Sequence, residues 1–75
     1  MILVQEPATI PITLNGEPRD IPLGTTINGL FALLGLSPVG LLVERNKTVV
    51  HRSAFATEQF EPGDTVELMR LIGGG

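Results

Sequence analysis

The sequence predicts an α+β domain in which one helix lies across one face of a mixed sheet of four to five strands. Three features carry this reading: a strand of period-two apolar residues that ends on Asn15-Gly16, a short stretch whose apolar residues are spaced by three and four, and a last strand that runs directly into Gly73-Gly74-Gly75. A chain of 75 residues that is 43% hydrophobic carries enough apolar material for one core. Residues 1–75 are therefore expected to form a single domain. Phe31, Phe55 and Phe60 are the only aromatics, so that core must be mainly aliphatic.

Ile10, Ile12 and Leu14 alternate with Thr9, Pro11 and Thr13, the pattern of a half-buried strand. Asn15 and Gly16 both tolerate positive φ, which a type I′ turn requires, so the chain should fold back along Glu17 to Ile21. Pro18 and Pro22 cannot donate to a ladder and assign this second strand to an edge. Pro11 places the start of regular pairing near Ile12.

Thr25 and Thr26 then offer hydroxyl caps to a helix whose buried face is Ile27, Leu30, Phe31 and Leu34. Gly35 is placed as its left-handed cap, with Leu36 positioned for the accompanying hydrophobic contact. Gly29 in the interior costs roughly 1 kcal/mol relative to alanine, so the helix depends on packing against the sheet. Beyond Ser37-Pro38, Leu41 to Glu44 reads as a strand, Asn46-Lys47 as a turn and Thr48 to Val50 as a short strand. Arg52 to Gln59 reads as a loop with a helical turn. Glu61-Pro62-Gly63-Asp64 is a turn with proline preset for the first corner and glycine free for the second. The last strand should run from Thr65 to about Ile72. Hairpin, helix, strand, short strand, strand is the order of a β-grasp, or ubiquitin-like, domain.

Composition excludes most chemistry. Arg19, Arg45, Lys47, Arg52 and Arg70 are scattered among eight acidic residues for a net charge of -3, so the chain lacks the basic footprint of a nucleic-acid binder. The apolar run Met1 to Val4 is too short for a signal or membrane segment, and the expected location is the cytoplasm. His51 is the only histidine and cysteine is absent, which removes thiolate nucleophiles and multi-histidine metal sites. His51 is expected at a strand end in solvent. Asp64 is expected to serve its turn by accepting from the backbone two residues on. No glycine-rich loop carries a phosphate-binding lysine.

The glycine tail is left. Three glycines add no packing and cost ordering entropy, so stability does not explain them. Such a tail can extend roughly 10 Å and enter a channel too narrow for any Cβ, with a carboxylate at its tip. A terminal glycine run can equally be a flexible linker, but here no polar spacer separates it from the strand.

The Asn15-Gly16-Glu17 hairpin, Gly24-Thr25-Thr26, Pro62-Gly63-Asp64 and above all the run from Val66 through Leu71-Ile72-Gly73-Gly74-Gly75 resemble the ThiS-type sulfur carriers of thiamin biosynthesis. The resemblance covers about Ile10 to Gly75 and leaves Met1 to Ala8 as an N-terminal extension. It implies a carrier without enzymatic activity or a bound cofactor of its own. Gly75 would present its carboxylate at the end of a tail formed with Gly73 and Gly74. An E1-like adenylyltransferase of the ThiF type would adenylate it with ATP and magnesium, and sulfur from a donor such as a cysteine desulfurase would convert it to a thiocarboxylate. A thiazole synthase of the ThiG type would then take the sulfur. If Val66 and Leu68 face the helix, Glu67, Met69 and Leu71 emerge on the open sheet face and form, with Ile72, a surface for these partners. Leu71 and Ile72 could instead finish the core or a homodimer contact. The small subunit of molybdopterin synthase, a ubiquitin-like protein modifier and a plain interaction domain with a dispensable tail are the alternative readings. The first usually carries a proline pair before its diglycine, which Met69-Arg70-Leu71-Ile72 lacks.

Overall fold

The structure, a computed structural model, describes residues 8–71. Five strands form one sheet in the order β2-β1-β5-β3-β4: β1 (Thr9–Leu14), β2 (Glu17–Pro22), β3 (Leu41–Arg45), β4 (Thr48–Val49) and β5 (Thr65–Arg70). One helix, α1 (Ile27–Leu34), and a 3₁₀ turn at Arg52–Ala54 complete the elements. Neighbouring strands are antiparallel except β1 and β5, which run parallel with Thr13 opposite Thr65 and Leu14 opposite Val66. This is the predicted β-grasp.

Asn15 (φ 48°) and Gly16 (φ 83°) are both left-handed, as the type I′ turn requires. Pairing nevertheless begins at Thr9, opposite Pro22, and not near Ile12. The reason lies in the register. Thr13 gives its N–H to Asp64 on the β5 side, so by alternation Thr9, Pro11 and Thr13 stand where backbone groups point away from the β1–β2 ladder. The missing N–H of Pro11 therefore takes nothing from the hairpin, and its carbonyl accepts from Gly63 at 2.8 Å. Pro18 and Pro22 occupy the matching positions on β2, with their ring nitrogens toward the open edge of the sheet.

The helix is held at both ends. Thr26 accepts from the N–H of Gly29 at 3.1 Å, while the N–H groups of Ile27 and Asn28 reach the carbonyls of Glu58 and Phe55 in the loop after β4. The exposed first turn thus has partners for its orphan donors. At the other end Gly35 (φ 70°) donates to Ala32 and Leu36 donates to Phe31, the paired bonds of a Schellman motif. Ile27, Leu30 and Phe31 meet Ile10, Ile12, Ile21, Val43 and Val66 from the sheet and Val50, Phe55 and Phe60 from the loops. Burying a side chain of this size contributes about 1.5–3 kcal/mol, which makes this layer pair the main source of stability.

Two strands are shorter than the sequence suggests. Val50 still donates to Val43, but its side chain turns into the core and β4 ends at Val49. β5 ends at Arg70; Leu71 adds one bond to the Gly40 carbonyl at 2.8 Å, and Ile72 lies outside the described residues.

Candidate functional site

Strand alternation divides β5 between two environments. Val66 is fully buried under α1 and Leu68 packs partly on the same core, whereas Glu67, Met69 and Leu71 point to the uncovered side of the sheet. Met69 is 36% and Leu71 62% exposed, so neither finishes the core in the described domain. Register then supplies neighbours that the sequence did not single out. Leu42 lies opposite Met69, Glu44 opposite Glu67, and Val49 opposite Glu44. Leu42 and Glu44 already alternate in the sequence of β3; only the pairing register, which no short motif announces, shows that they stand beside Met69 and Glu67.

Asn15 holds the stretch of β5 just beyond the residues that β1 pairs. Its carboxamide oxygen accepts from the N–H of Leu68 at 2.8 Å, so the hairpin turn fixes the strand that leads to the tail. Ile72 and the expected sulfur-accepting tail, Gly73, Gly74 and Gly75, lie outside the described residues, as do residues 1–7 of the expected extension.

The other polar concentration is structural. Asp64 is 5% exposed and accepts from Arg45 Nε at 2.7 Å, Asn46 Nδ2 at 3.0 Å and the N–H of Glu61 at 2.8 Å. It reaches back three residues and across to β3, and is not confined to the local bond expected two residues on. Burial alone would raise its carboxyl, but the Glu61 N–H, the Asn46 amide and the Arg45 guanidinium outweigh burial and hold it below the ordinary carboxylate range. Arg45 also pairs with Glu58 at 3.4 Å and approaches Glu61 at 3.9 Å. A shallow groove beside it is lined by Asn46, His51, Ser53 and Glu58, but the guanidinium is already committed to acidic partners. His51 is exposed at the start of the 3₁₀ turn and makes no capping bond. Among the described residues no cluster of three or more His, Cys, Asp or Glu side chains could hold a metal, and no buried side-chain polar atom lacks a partner. No described helix is long and apolar enough to cross a membrane.

Comparison with known proteins converges on one family. A model of the ThiS family matches residues 12–75. The thiazole synthase of Magnetococcus marinus is 44% identical over 64 residues, which are 85% of this chain and 20% of that protein. That of Paramagnetospirillum magneticum is 34% identical over 64 residues with the same coverage. The chain thus spans about a fifth of the length of the curated relatives it matches. The crystal structure of a thiamine biosynthesis protein (ThiS) from Geobacter metallireducens superposes with a TM-score of 0.73 at 29% identity, covering 88% of this chain and 100% of that one. A solution structure of a thiamine biosynthesis protein from the same organism gives 0.69 at 29% identity, with 88% of each chain covered.

Proposed function

The chain belongs to the ThiS family, and on that premise we propose that it is a sulfur carrier of thiamin biosynthesis whose working group is the carboxylate of Gly75. The observation that carries the proposal is the family match itself, which extends through the glycines at 73–75. An ionised carboxylate, with a reference pKa of roughly 3.5, is a poor electrophile. Transfer of AMP from ATP, with pyrophosphate leaving, converts it to an acyl adenylate with a good leaving group; the outer sulfur of a persulfide then expels AMP, and a thiol reductant cleaves the resulting acyl disulfide to leave a thiocarboxylate. The chain has no cysteine, so the sulfur must be delivered from outside it. In this reading the domain is a substrate of its partners and not itself an enzyme. It is activated by an E1-like adenylyltransferase of the ThiF type using ATP and magnesium, and charged by a donor such as a cysteine desulfurase in the cytoplasm.

Thiazole synthase is the acceptor we assign. Relatives that carry this name contain a stretch similar to 64 residues of this chain, which supports a working association between the two activities. Exposed Met69 and Leu71, with Glu67, supply the contact surface beside the tail, and Ile72 continues it. Glycines at 73, 74 and 75 let the last residues enter an active site without side-chain obstruction.

Intact-mass measurement after incubation with ATP, magnesium, a ThiF-type adenylyltransferase, a persulfide donor and a thiol reductant tests the reading. The expected product is heavier by the difference between sulfur and oxygen, with the change located on Gly75. Attachment to a lysine of another protein would instead identify a modifier, and an unchanged mass would remove the carrier reading. Met69→Asp should slow adenylation; an unchanged rate would exclude this surface as a contact for the adenylyltransferase.

A further inference from the structure

Asparagine occurs at Asn15, Asn28 and Asn46, and the first two precede glycine. An Asn-Gly step is prone to attack on itself, because glycine has no Cβ to obstruct the approach of its backbone nitrogen to the preceding side chain. The fold treats the two steps differently. Asn28 and Gly29 lie inside α1, where the Gly29 N–H is given to Thr26 Oγ1 at 3.1 Å and the Asn28 N–H to the Phe55 carbonyl at 3.0 Å. The attacking nitrogen is occupied there, and the helical ladder fixes the peptide that would have to turn. Asn46 sits in a left-handed turn with φ 52°, followed by Lys47 at 68°, but its amide is committed at both ends: Nδ2 donates to Asp64 and Oδ1 accepts from Thr65.

Asn15 and Gly16 stand exposed at the tip of the β1–β2 hairpin. Among the described residues the Gly16 N–H has no hydrogen-bond partner, and the Asn15 Nδ2 group donates to none. Rotating the one peptide unit between them converts the type I′ turn to type II′. Asn15 ψ then moves from about +30° to about −120°, while its φ stays at about +60° and the strand ends stay in place. Gly16 accepts either sign of φ, so the flipped turn strains only Asn15 and exists as a minor state. In that state the Gly16 nitrogen lies in line with the Asn15 Cβ, as closure of a five-membered ring on Cγ requires. The carboxamide oxygen already receives the Leu68 N–H at 2.8 Å, a donor aimed at the atom on which charge develops as nitrogen adds to Cγ.

We infer that Asn15 is a self-modification site, poised by the hairpin turn to lose its side-chain amide while Asn28 and Asn46 are protected. The Gly16 nitrogen gives its proton to solvent base and bonds to Asn15 Cγ; the Cγ–Nδ2 bond breaks and ammonia leaves, giving a succinimide. Water then opens the ring at either carbonyl. One product carries aspartate at position 15, the other an isoaspartyl linkage in which the main chain runs through Cγ. The second inserts a methylene into a two-residue turn, so the pairing of Leu14 with Glu17 and the acceptor for Leu68 cannot both be kept. Modification thus loosens the hairpin from β5 and adds one negative charge. No partner protein takes part, and the chemistry is independent of sulfur carriage.

The test incubates the full chain at neutral pH, folded in buffer and unfolded in urea, and follows each asparagine by peptide mapping and mass spectrometry. In urea Asn15 and Asn28 should convert at similar rates, as chemically equal steps. In the folded chain Asn15 should convert roughly tenfold faster than Asn28 or Asn46, because a peptide flip at a turn tip needs no opening of a packed element. The deamidated fraction, separated by its extra charge, should contain a substrate for an isoaspartyl methyltransferase. Its Leu68 amide should exchange with solvent faster than in the unmodified chain. Folded-state rates at Asn28 or Asn46 equal to or above that of Asn15 would overturn the inference, as would a folded chain in which no asparagine reacts while the unfolded chain is converted. Unequal rates in urea would trace the preference to local sequence and overturn it as well. Unchanged Leu68 exchange in the isoaspartyl fraction would overturn the loosening of β5.

Discussion

Arg45 and Asp64, 19 residues apart in sequence, meet through a 2.7 Å hydrogen bond from Nε to Oδ2 that ties β3 to the turn preceding β5. Asn46 and the N–H of Glu61 converge on the same carboxylate, so one side chain fixes the register between β3 and β5.

Asp64→Asn should therefore destabilise the domain by about 1–3 kcal/mol, because a neutral amide cannot accept from all three donors and leaves Arg45 less well paired. Urea denaturation at neutral pH measures it, and a loss below about 0.5 kcal/mol would show that the network is incidental.

The same carboxyl sets a pH dependence. Its folded pKa lies below the unfolded value of about 3.9, so it contributes stability at pH above that value and loses it as pH falls through the folded pKa. Melting temperature of the wild type should fall on acidification below about pH 4. Asp64→Asn should show a flatter acid limb; parallel limbs for the two proteins would contradict the assignment.

Asn15 has two separable roles, a left-handed backbone (φ 48°) and an acceptor for Leu68. Asn15→Gly keeps the first and loses the second, and should cost about 1 kcal/mol with faster amide exchange at Leu68. Asn15→Ala loses both and should cost about 1–2 kcal/mol more. Equal stabilities for the two variants would mean that the backbone role is not as assigned, and an Asn15→Gly variant as stable as the wild type that the acceptor role is not.

How much of this was legible in the sequence follows the range of each interaction. The Asn15-Gly16 turn, the Thr26 cap and the Gly35-Leu36 ending are written within a few residues of where they act, and each stands where the sequence places it. The outward phase of Glu67, Met69 and Leu71 followed from alternation alone. Pro11 misled because the cost of a missing N–H depends on which side of the strand it faces, and that is decided by the pairing of Thr13 with Asp64 about fifty residues later. Asp64 carried no sign of Arg45, and Glu44 none of Glu67, since both meetings depend on the register between β3 and β5.

Gly29 tests a rule of thumb. Alanine is usually favoured over glycine inside a helix by about 1 kcal/mol. Here a Cβ would sit 3.2 Å from Thr25 Cγ2 and 3.3 Å from the Thr26 hydroxyl that caps the helix. Gly29→Ala should thus be neutral to about 1 kcal/mol destabilising, read by thermal melting. A gain of about 1 kcal/mol would show that the capping turn yields freely.

Removal of Gly74 and Gly75 should leave the melting temperature unchanged and abolish conversion to the thiocarboxylate. Retained sulfur loading in the shortened chain would place the acceptor elsewhere.

The proline positions of β2 bear on how the molecule behaves when crowded. A strand arriving from a second molecule would search the outer side of β2 for donors and find pyrrolidine rings at Pro18 and Pro22, with only Asp20 between them able to offer an N–H, beside a carboxylate. Sheet-to-sheet growth, the first step toward fibres, is blocked along that border. The domain can thus stay dispersed at concentrations where an unguarded edge strand would pair.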